Sequence, residues 1–326
     1  MDGNRTLPGE PAGCGPVTVP FVGTIVGVVA MSHSPFWDSR EFDANDAVFL
    51  SATARARAAV TAVAPTAIVV IGPDHFRNFF YDVMPSFCIG TDRVTSFGDY
   101  LTPRGELPPA TRLARSVHAS LQTQGFDPAL SLHMGVDHGI TQPYALFAPA
   151  LDVPIVPIMV ACTGPARSSL TRCWELGRAL GIALRESDEE RIVVVGSGGL
   201  SHWLPPTDPD GDIDPTLREF VVDGRATARE VQAGRQAQIL ASAASNNGRV
   251  NAEWDQWFLQ QIAQHTLASA VSLTDRELEH DAGNGGHEVR SWIIAAAAWG
   301  APLEIYGYEP QPAWLTGTAC AAAFDH

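Results

Sequence analysis

The chain has 326 residues, 45% of them hydrophobic and 17% charged, a composition that requires a large buried core and excludes a disordered or fibrous protein. Its 21 basic residues against 36 acidic ones leave a formal charge of −15, which argues against a general affinity for nucleic acid or an anionic membrane surface and points to a small partner. All 21 basic residues are arginine, so chemistry that needs an amine side chain, such as a Schiff base, a pyridoxal phosphate site, a P-loop lysine or a Ser-Lys dyad, has no residue to carry it.

Residues 1–20 are rich in glycine, proline and small polar residues without periodicity, and read as a disordered leader or an arm that docks on a neighbouring subunit. The longest apolar run, residues 17–31, is broken by Pro20 and falls short of a membrane span; no basic stretch precedes it, so no signal peptide is read. Short β-branched runs at residues 24–30, 67–71, 153–160 and 191–195 alternate with helix-like stretches, the first over residues 43–64. This pattern predicts an α/β fold, a single domain with a mostly parallel central sheet flanked by helices and its active site at the carboxyl ends of the strands. Residues 76–107 are aromatic and turn-rich, and are expected to form a loop or hairpin excursion over one end of the sheet. Residues 203–250 open on Pro205, Pro206 and an acidic Asp/Gly/Pro stretch, then turn into polar helix from 215 to 245, a candidate lid. Helices at 254–270 and 288–299 are expected to complete a catalytic domain spanning residues 21–326. The five cysteines are odd in number, scattered and without a C-x-x-C, so neither a disulfide framework nor a thiolate zinc knuckle is encoded, and a reducing cytoplasm fits.

Three of the ten histidines hold equivalent places. His33, His75 and His202 each lie just past the carboxyl end of a predicted buried strand, the edge at which open α/β sheets bind ligands. One such histidine is ordinarily a semi-buried loop residue; three in this register point to a shared crevice. His138 lies in V-D-H-G-I-T-Q-P, a stiff turn in which Asp137 could orient an imidazole. Glu288 opens a helix after the flexible G-N-G-G-H, where it could equally serve the helix dipole, and the adjacent His287 competes for any ligand role. Two histidines and a carboxylate from separate segments are the ingredients of the facial triad of non-haem Fe(II) sites. H-E-x-x-H, G-x-S-x-G and G-x-G-x-x-G are absent from the sequence. The glycine run at 196–199 therefore reads as a turn that admits a close approach.

The segments SHSPF (32–36), PDHFRNFFYDVMPSFCIG (73–90), GELP (105–108), VDHGITQP (136–143), VVGSGGLSH (194–202) and HEVRSW (287–292) resemble the class III extradiol ring-cleavage dioxygenases. The likeness runs from about residue 22 to 324 and is weakest over 205–250. Carried over position by position, it implies iron ligands at His33, His75 and Glu288 and acid/base histidines at His138 and His202, which makes His202 a proton carrier and not a ligand. It further implies Fe(II) as cofactor, and a small catechol, such as a 2,3-dihydroxyphenyl-alkanoate or related substituted catechol, as substrate with O2. The chain is expected to form a homo-oligomer with no nucleic-acid or membrane partner. Phe79, Phe80, Tyr81, Trp203 and Asp137 are candidates for the substrate pocket. Arg77, two residues past His75, is the candidate for gripping an anionic group on the ring, or else a solvated loop residue. Two other readings remain open at this level: a zinc hydrolase built on the same His/His/Glu cage, and a non-catalytic relative.

A leader so poor in large apolar residues cannot bury enough surface to offset its ordering entropy. Deletion of residues 1–18 is accordingly expected to leave the melting temperature and activity nearly unchanged, and a large fall in either, measured by thermal unfolding and steady-state assay, would show that the segment docks.

Overall fold

The structure, a computed structural model, describes residues 23–37, 47–244 and 248–325; the leader reading lies outside the described residues, as does the start of the helix expected over 43–64. The described elements are, in chain order, β1 (Ile25–Met31), α1 (Ala47–Val63), β2 (Ala67–Gly72), β3 (Phe87–Phe97), β4 (Arg104–Leu107), α2 (Thr111–Thr123), β5 (Ala129–Val136), α3 (His138–Phe147), β6 (Ile155–Val160), α4 (Leu170–Arg185), β7 (Ile192–Ser197), α5 (Pro215–Asp223), α6 (Ala228–Ala244), α7 (Ala252–Gln264), α8 (Ala268–Val271), α9 (Asp275–Ala282), α10 (Val289–Trp299), β8 (Glu304–Gln311) and β9 (Thr316–Phe324).

They build one sheet in the order β4-β3-β6-β2-β7-β1-β9-β8, with β5 paired to β3 outside this path. The centre, β6-β2-β7-β1, is parallel. Its strands are wholly buried runs dominated by Ile and Val, as expected of strands covered on both faces. The expected mostly parallel sheet is therefore a mixed one: β3 and β6, β3 and β4, β1 and β9, and β8 and β9 pair antiparallel. The excursion expected over 76–107 contains the β3-β4 hairpin.

Because side chains alternate along a strand, each central strand feeds two cores. Val28, Ala30, Val69, Ile71, Val156 and Val194 face α2, α4, α7, α9 and α10, whereas Val29, Met31, Ile68, Val70 and Val193 face α1 and α3. Helix α10 (VRSWIIAAAAW) is buried at ten of its eleven positions, the pattern of a helix enclosed on all sides. A smaller apolar cluster of Phe76, Phe80, Phe220, Val221 and Ala228 ties α5 and α6 to the chain that leaves β2. No helix among the described residues is long and apolar enough to cross a membrane.

The carboxylate of Asp255 on α7 is fully buried, where it accepts the Ser201 amide at 2.8 Å and the Tyr308 hydroxyl at 2.9 Å. It thereby joins α7, β8 and the loop after β7. Burial pushes this carboxyl up to about 6 despite those donors. The folded state then binds more protons than the unfolded chain between about pH 4 and 6, so this group's contribution to stability is full below pH 4 and declines as pH rises through that window. Asp255→Asn, which removes the titration, is expected to gain on the parent in urea-unfolding free energy by on the order of 1–3 kcal/mol between pH 4 and 7; parallel pH profiles would refute this.

Candidate active site

Strands β2, β7 and β1 lie side by side and end level: Ile71 is opposite Gly196, which is opposite Ala30. The chain leaving them carries His75, His202 and His33 respectively, so the three histidines arrive at one sheet edge. Helix α3 starts at the same place, with Asp137 as its N-cap, accepting the Gly139 amide at 2.9 Å, and His138 as its first residue. Glu288 stands in a 3₁₀ turn directly before α10. Its side chain is the hub of the group. Oε2 accepts the Gly199 amide at 2.6 Å and lies 3.5 Å from His33 Nε2, while Oε1 lies 3.4 Å from His75 Nε2 and 3.9 Å from His202 Nε2. Gly198 makes this approach possible, since a Cβ there would come within 2.6 Å of the Glu288 carbonyl oxygen.

Each imidazole is held by its other nitrogen. Nδ1 of His33 meets Ser197 Oγ at 2.9 Å, that of His75 meets Asp137 Oδ2 at 2.9 Å, that of His138 meets Asp99 Oδ2 at 2.7 Å and that of His202 meets the Leu200 carbonyl at 2.8 Å. Carboxylates and carbonyls only accept, so Nδ1 is the donor in the last three. Asp137, which the sequence places beside His138, thus orients His75, whose amide it also accepts at 2.7 Å; the partner of His138 is Asp99, from the turn after β3.

Burial pushes the His33 imidazole down to about 3, against the pull of Glu288, so its lone pair is available. Burial acts on His75 in the same direction, but the Asp137 and Glu288 carboxylates outweigh it and hold His75 well above its ordinary value. Burial would raise Glu288; the charges of His33 and His202 and the hydrogen bond from His75 outweigh it and keep the carboxyl below its usual range.

Among the described residues two groups offer donor atoms within 4.8 Å of one another, His33, His75 and His138, and Asp99, Asp137 and His138; the carboxylates of the second already accept from Nδ1 of His138 and His75. His33, His75 and Glu288 form a third set, joined by the contacts given above. The ring planes separate the two sets that share His33 and His75. His75 and His138 are stacked, with centroids 4.3 Å apart and an interplanar angle of 24°, so their in-plane lone pairs run side by side and do not converge. His33 stands at 85° to both. Glu288 touches His33 with one oxygen and His75 with the other, and brings to that pair an anionic charge of the kind a divalent cation favours.

The family described as the catalytic LigB subunit of aromatic ring-opening dioxygenase matches residues 27–318. The chain belongs to this LigB family. Among similar curated proteins, one from Paraburkholderia xenovorans is 38% identical over 277 residues, covering 80% of this chain and 85% of the relative. One from Mycolicibacterium paratuberculosis is 36% identical over 314 residues, covering 91% and 98%. Both are named 2,3-dihydroxyphenylpropionate/2,3-dihydroxicinnamic acid 1,2-dioxygenase. The crystal structure of an uncharacterized protein from Escherichia coli K12 shares the fold, with a TM-score of 0.53 at 18% identity over 91% of this chain and 99% of that one. The chain is thus a LigB-family dioxygenase of the extradiol type, and a catalytic metal is implied.

In this LigB-family enzyme the histidine cluster opens into a cavity of about 280 Å³. His33, His75, His138, His202 and Glu288 line it together with Arg77, and residues 204–239 supply a wall through Leu204, Leu217, Arg235 and Ile239. Three further lining residues, Phe76, Tyr100 and Leu315, have left-handed backbones with φ of 56°, 47° and 60°, a strain that tends to gather at functional sites. Phe80, Tyr81, Trp203 and Asp137 lie outside the lining. Phe80 is fully buried, the Tyr81 hydroxyl bonds Thr163 Oγ1 at 2.8 Å, Arg249 covers the Trp203 ring, and Asp137 sits behind His75. Arg77 is not a solvated residue: its guanidinium is 3.5 Å from Asp99 Oδ2 and its side chain is 11% exposed. His287 turns away from the cluster to Arg290 and Glu279. Ser197, Asp99 and Tyr100 are not indicated by the sequence, where Asp99 has a turn signal (F-G-D-Y) and no more; Gly199 lies in the glycine run read as a turn of close approach, and its amide meets Glu288. The four described cysteines are buried and free. Burial pushes the thiols of Cys88, Cys173 and Cys320 up to about 12. Cys162, which lines the cavity, is pushed up by burial and by the charge of Glu288.

The His202 ring is fitted against the turn before Glu288. A Cβ on Gly285 would come within 2.1 Å of its Nε2. Gly285→Ala is therefore expected to lose roughly 1–3 kcal/mol of stability, and adding His202→Ala, which empties the space, to restore most of it; a double variant as unstable as Gly285→Ala alone would show that the clash is not the cause.

Proposed function

We propose that this LigB-family enzyme is an Fe(II)-dependent dioxygenase that opens the ring of a substituted catechol beside its hydroxyls, with His33, His75 and Glu288 as metal ligands and His138 and His202 as the groups that move protons. The observation that carries this reading is the convergence of His33 Nε2 and His75 Nε2 on the two oxygens of Glu288, at 3.5 and 3.4 Å, with both Nδ1 atoms held from behind. Such support behind a ligand fixes its tautomer and direction. Two nitrogens and one carboxylate on one side leave room for substrate on the other.

Bound there, Fe(II) would draw the catechol hydroxyls toward ionisation and bring O2 beside the ring. His202 accepts a hydroxyl proton at Nε2, because its Nδ1 proton is engaged with the Leu200 carbonyl and the Nε2 lone pair faces the site. His138 acts as the acid: the Asp99 carboxylate, 2.7 Å from Nδ1, balances the charge of the doubly protonated ring, and Nε2 gives its proton to substrate oxygen as the ring opens. A cavity of about 280 Å³ suits a single ring with a short substituent, and the names of the relatives support a 2,3-dihydroxyphenyl-alkanoate as that substrate.

His33→Ala, His75→Ala and Glu288→Ala are each expected to lose iron. His138→Ala and His202→Ala are expected to retain it while turnover falls by ~10²–10⁴. Iron content and oxygen uptake with a catechol, measured on the five purified variants, test the division; an iron-free His202→Ala protein, or an iron-replete Glu288→Ala protein, would reverse the assignment.

A further inference from the structure

The cavity holds a cation that the cleavage chemistry does not use. Arg235 of α6 lines it, and its Nη1 is buried without a hydrogen-bond partner among the described residues. No described carboxylate forms an ion pair with it. Its guanidinium rests on the Phe220 ring, 4.8 Å from the centroid, a contact that shields one face and leaves Nη1 at the edge unmatched. The nearby guanidinium of Arg77 adds a like charge, and together with burial holds Arg235 below its ordinary value. Asp99 does not relieve this, because its Oδ2 is already shared between His138 at 2.7 Å and Arg77 at 3.5 Å. Two guanidiniums thus line a largely apolar chamber, and the carboxylate that meets Arg77, that of Asp99, is engaged behind His138. A partly buried guanidinium with an unmatched N–H is costly until an anion reaches it.

Its position says which part of a ligand would do so. The rings follow one another outward from the cluster: His75 stacks on His138 at 4.3 Å, and the edge of Tyr100 meets His138 at 4.7 Å. The charges of both Arg77 and Arg235 act on the Tyr100 hydroxyl. Arg235 and Tyr100 both line the cavity, and Arg235 therefore belongs to its Tyr100 side. A catechol whose hydroxyls lie at the His33/His75/Glu288 end would extend a short substituent toward this guanidinium.

We propose that Arg235 is a specificity-determining residue that takes the carboxylate at the end of the substrate's side chain, with Arg77 adding to the positive field while it remains paired to Asp99. This rests on the catechol-cleaving function proposed above. It moves the anion-reading role from the sequence candidate Arg77 to a residue of the 203–250 segment, the part of the chain in which family likeness is weakest. Helix α6 then acts as the wall that selects acids over plain catechols.

The test is anaerobic calorimetric binding of 2,3-dihydroxyphenylpropionate and of 3-propylcatechol, its uncharged counterpart, to the iron-loaded parent, Arg235→Met and Arg235→Lys. The expected result is that Arg235→Met weakens the acid ten-fold or more while changing 3-propylcatechol by less than two-fold, and that Arg235→Lys, which keeps the charge but loses the fork, falls between. Equal weakening of both ligands would mean that Arg235 only supports the wall. No change in either, or a parent that binds the acid no more tightly than 3-propylcatechol, would also overturn the proposal. Oxygen uptake on the same samples separates the two readings: a retained binding contrast without any turnover of catechols would sink the dioxygenase function and leave the carboxylate site standing.

Discussion

A carboxylate buried as deeply as that of Glu288 must find its donors and counter-charges inside the protein, because desolvation alone would cost several kcal/mol. What meets it is one backbone amide, from Gly199, and three imidazoles. Those imidazoles come from three different strand ends, which brings the whole sheet into the requirement. Only if β2, β7 and β1 are adjacent, parallel and level can His75, His202 and His33 surround one point. The central order of the sheet supplies that condition, and the all-round apolar helix α10 fixes the fourth side by delivering Glu288 from a turn whose own exit is locked in the core. The Arg290 side chain of that helix, fully buried and tied to Asp275, His287 and the Ser168 carbonyl, adds a polar anchor two residues beyond the carboxylate.

The cavity is divided by chemistry. At one end each imidazole is held through its Nδ1, and the support comes largely from strand ends, the stiffest parts of the fold. The opposite wall is formed by α5, α6 and the chain before them, joined to the rest through Phe76, Phe80 and Phe220. The reacting groups thus stand on the sheet, and the surface that meets the variable part of a ligand stands on an outer layer. Such a division lets substrate preference change without disturbing the proposed ligands, with which the wall shares no side chain.

How far the sequence discloses this depends on the physics of each element. β1, β2, β6 and β7 are continuous apolar runs ending in polar residues, so their positions and the histidines behind them are legible. β9 (TGTACAAAF) is not: small residues carry little strand propensity, and it is a strand because β1 and β8 pair with both its edges. β5 (ALSLHMGV) alternates weakly at a sheet edge, with Leu130 and Leu132 exposed, and escapes notice for the opposite reason. The five polar residues around the site are visible one by one, but their pairing is not. Asp137 is next to His138 in the chain and serves His75, because as N-cap its side chain turns back over the start of α3 toward the loop after β2. Asp99 shows only a turn signal and Arg235 no local pattern; only the close approach of distant segments gives them partners or withholds them.

The sulfur chemistry of the chain takes on meaning from the company it keeps. An enzyme that handles molecular oxygen exposes its own interior to an oxidant, and a thiol reacts with such species as the thiolate. Cys162 looks into the cavity, yet burial and the nearby negative charge of Glu288 hold it in the protonated form. The carboxylate at the centre of the site therefore has a protective effect on its neighbour: it suppresses ionisation of the one described thiol within reach of the chemistry, and with it both the first rung of sulfur oxidation and the appearance of a soft ligand that would compete with nitrogen and oxygen donors. Cys88, Cys173 and Cys320 lie in the apolar cores and outside the cavity lining, so they do not meet the chamber in which oxygen chemistry takes place.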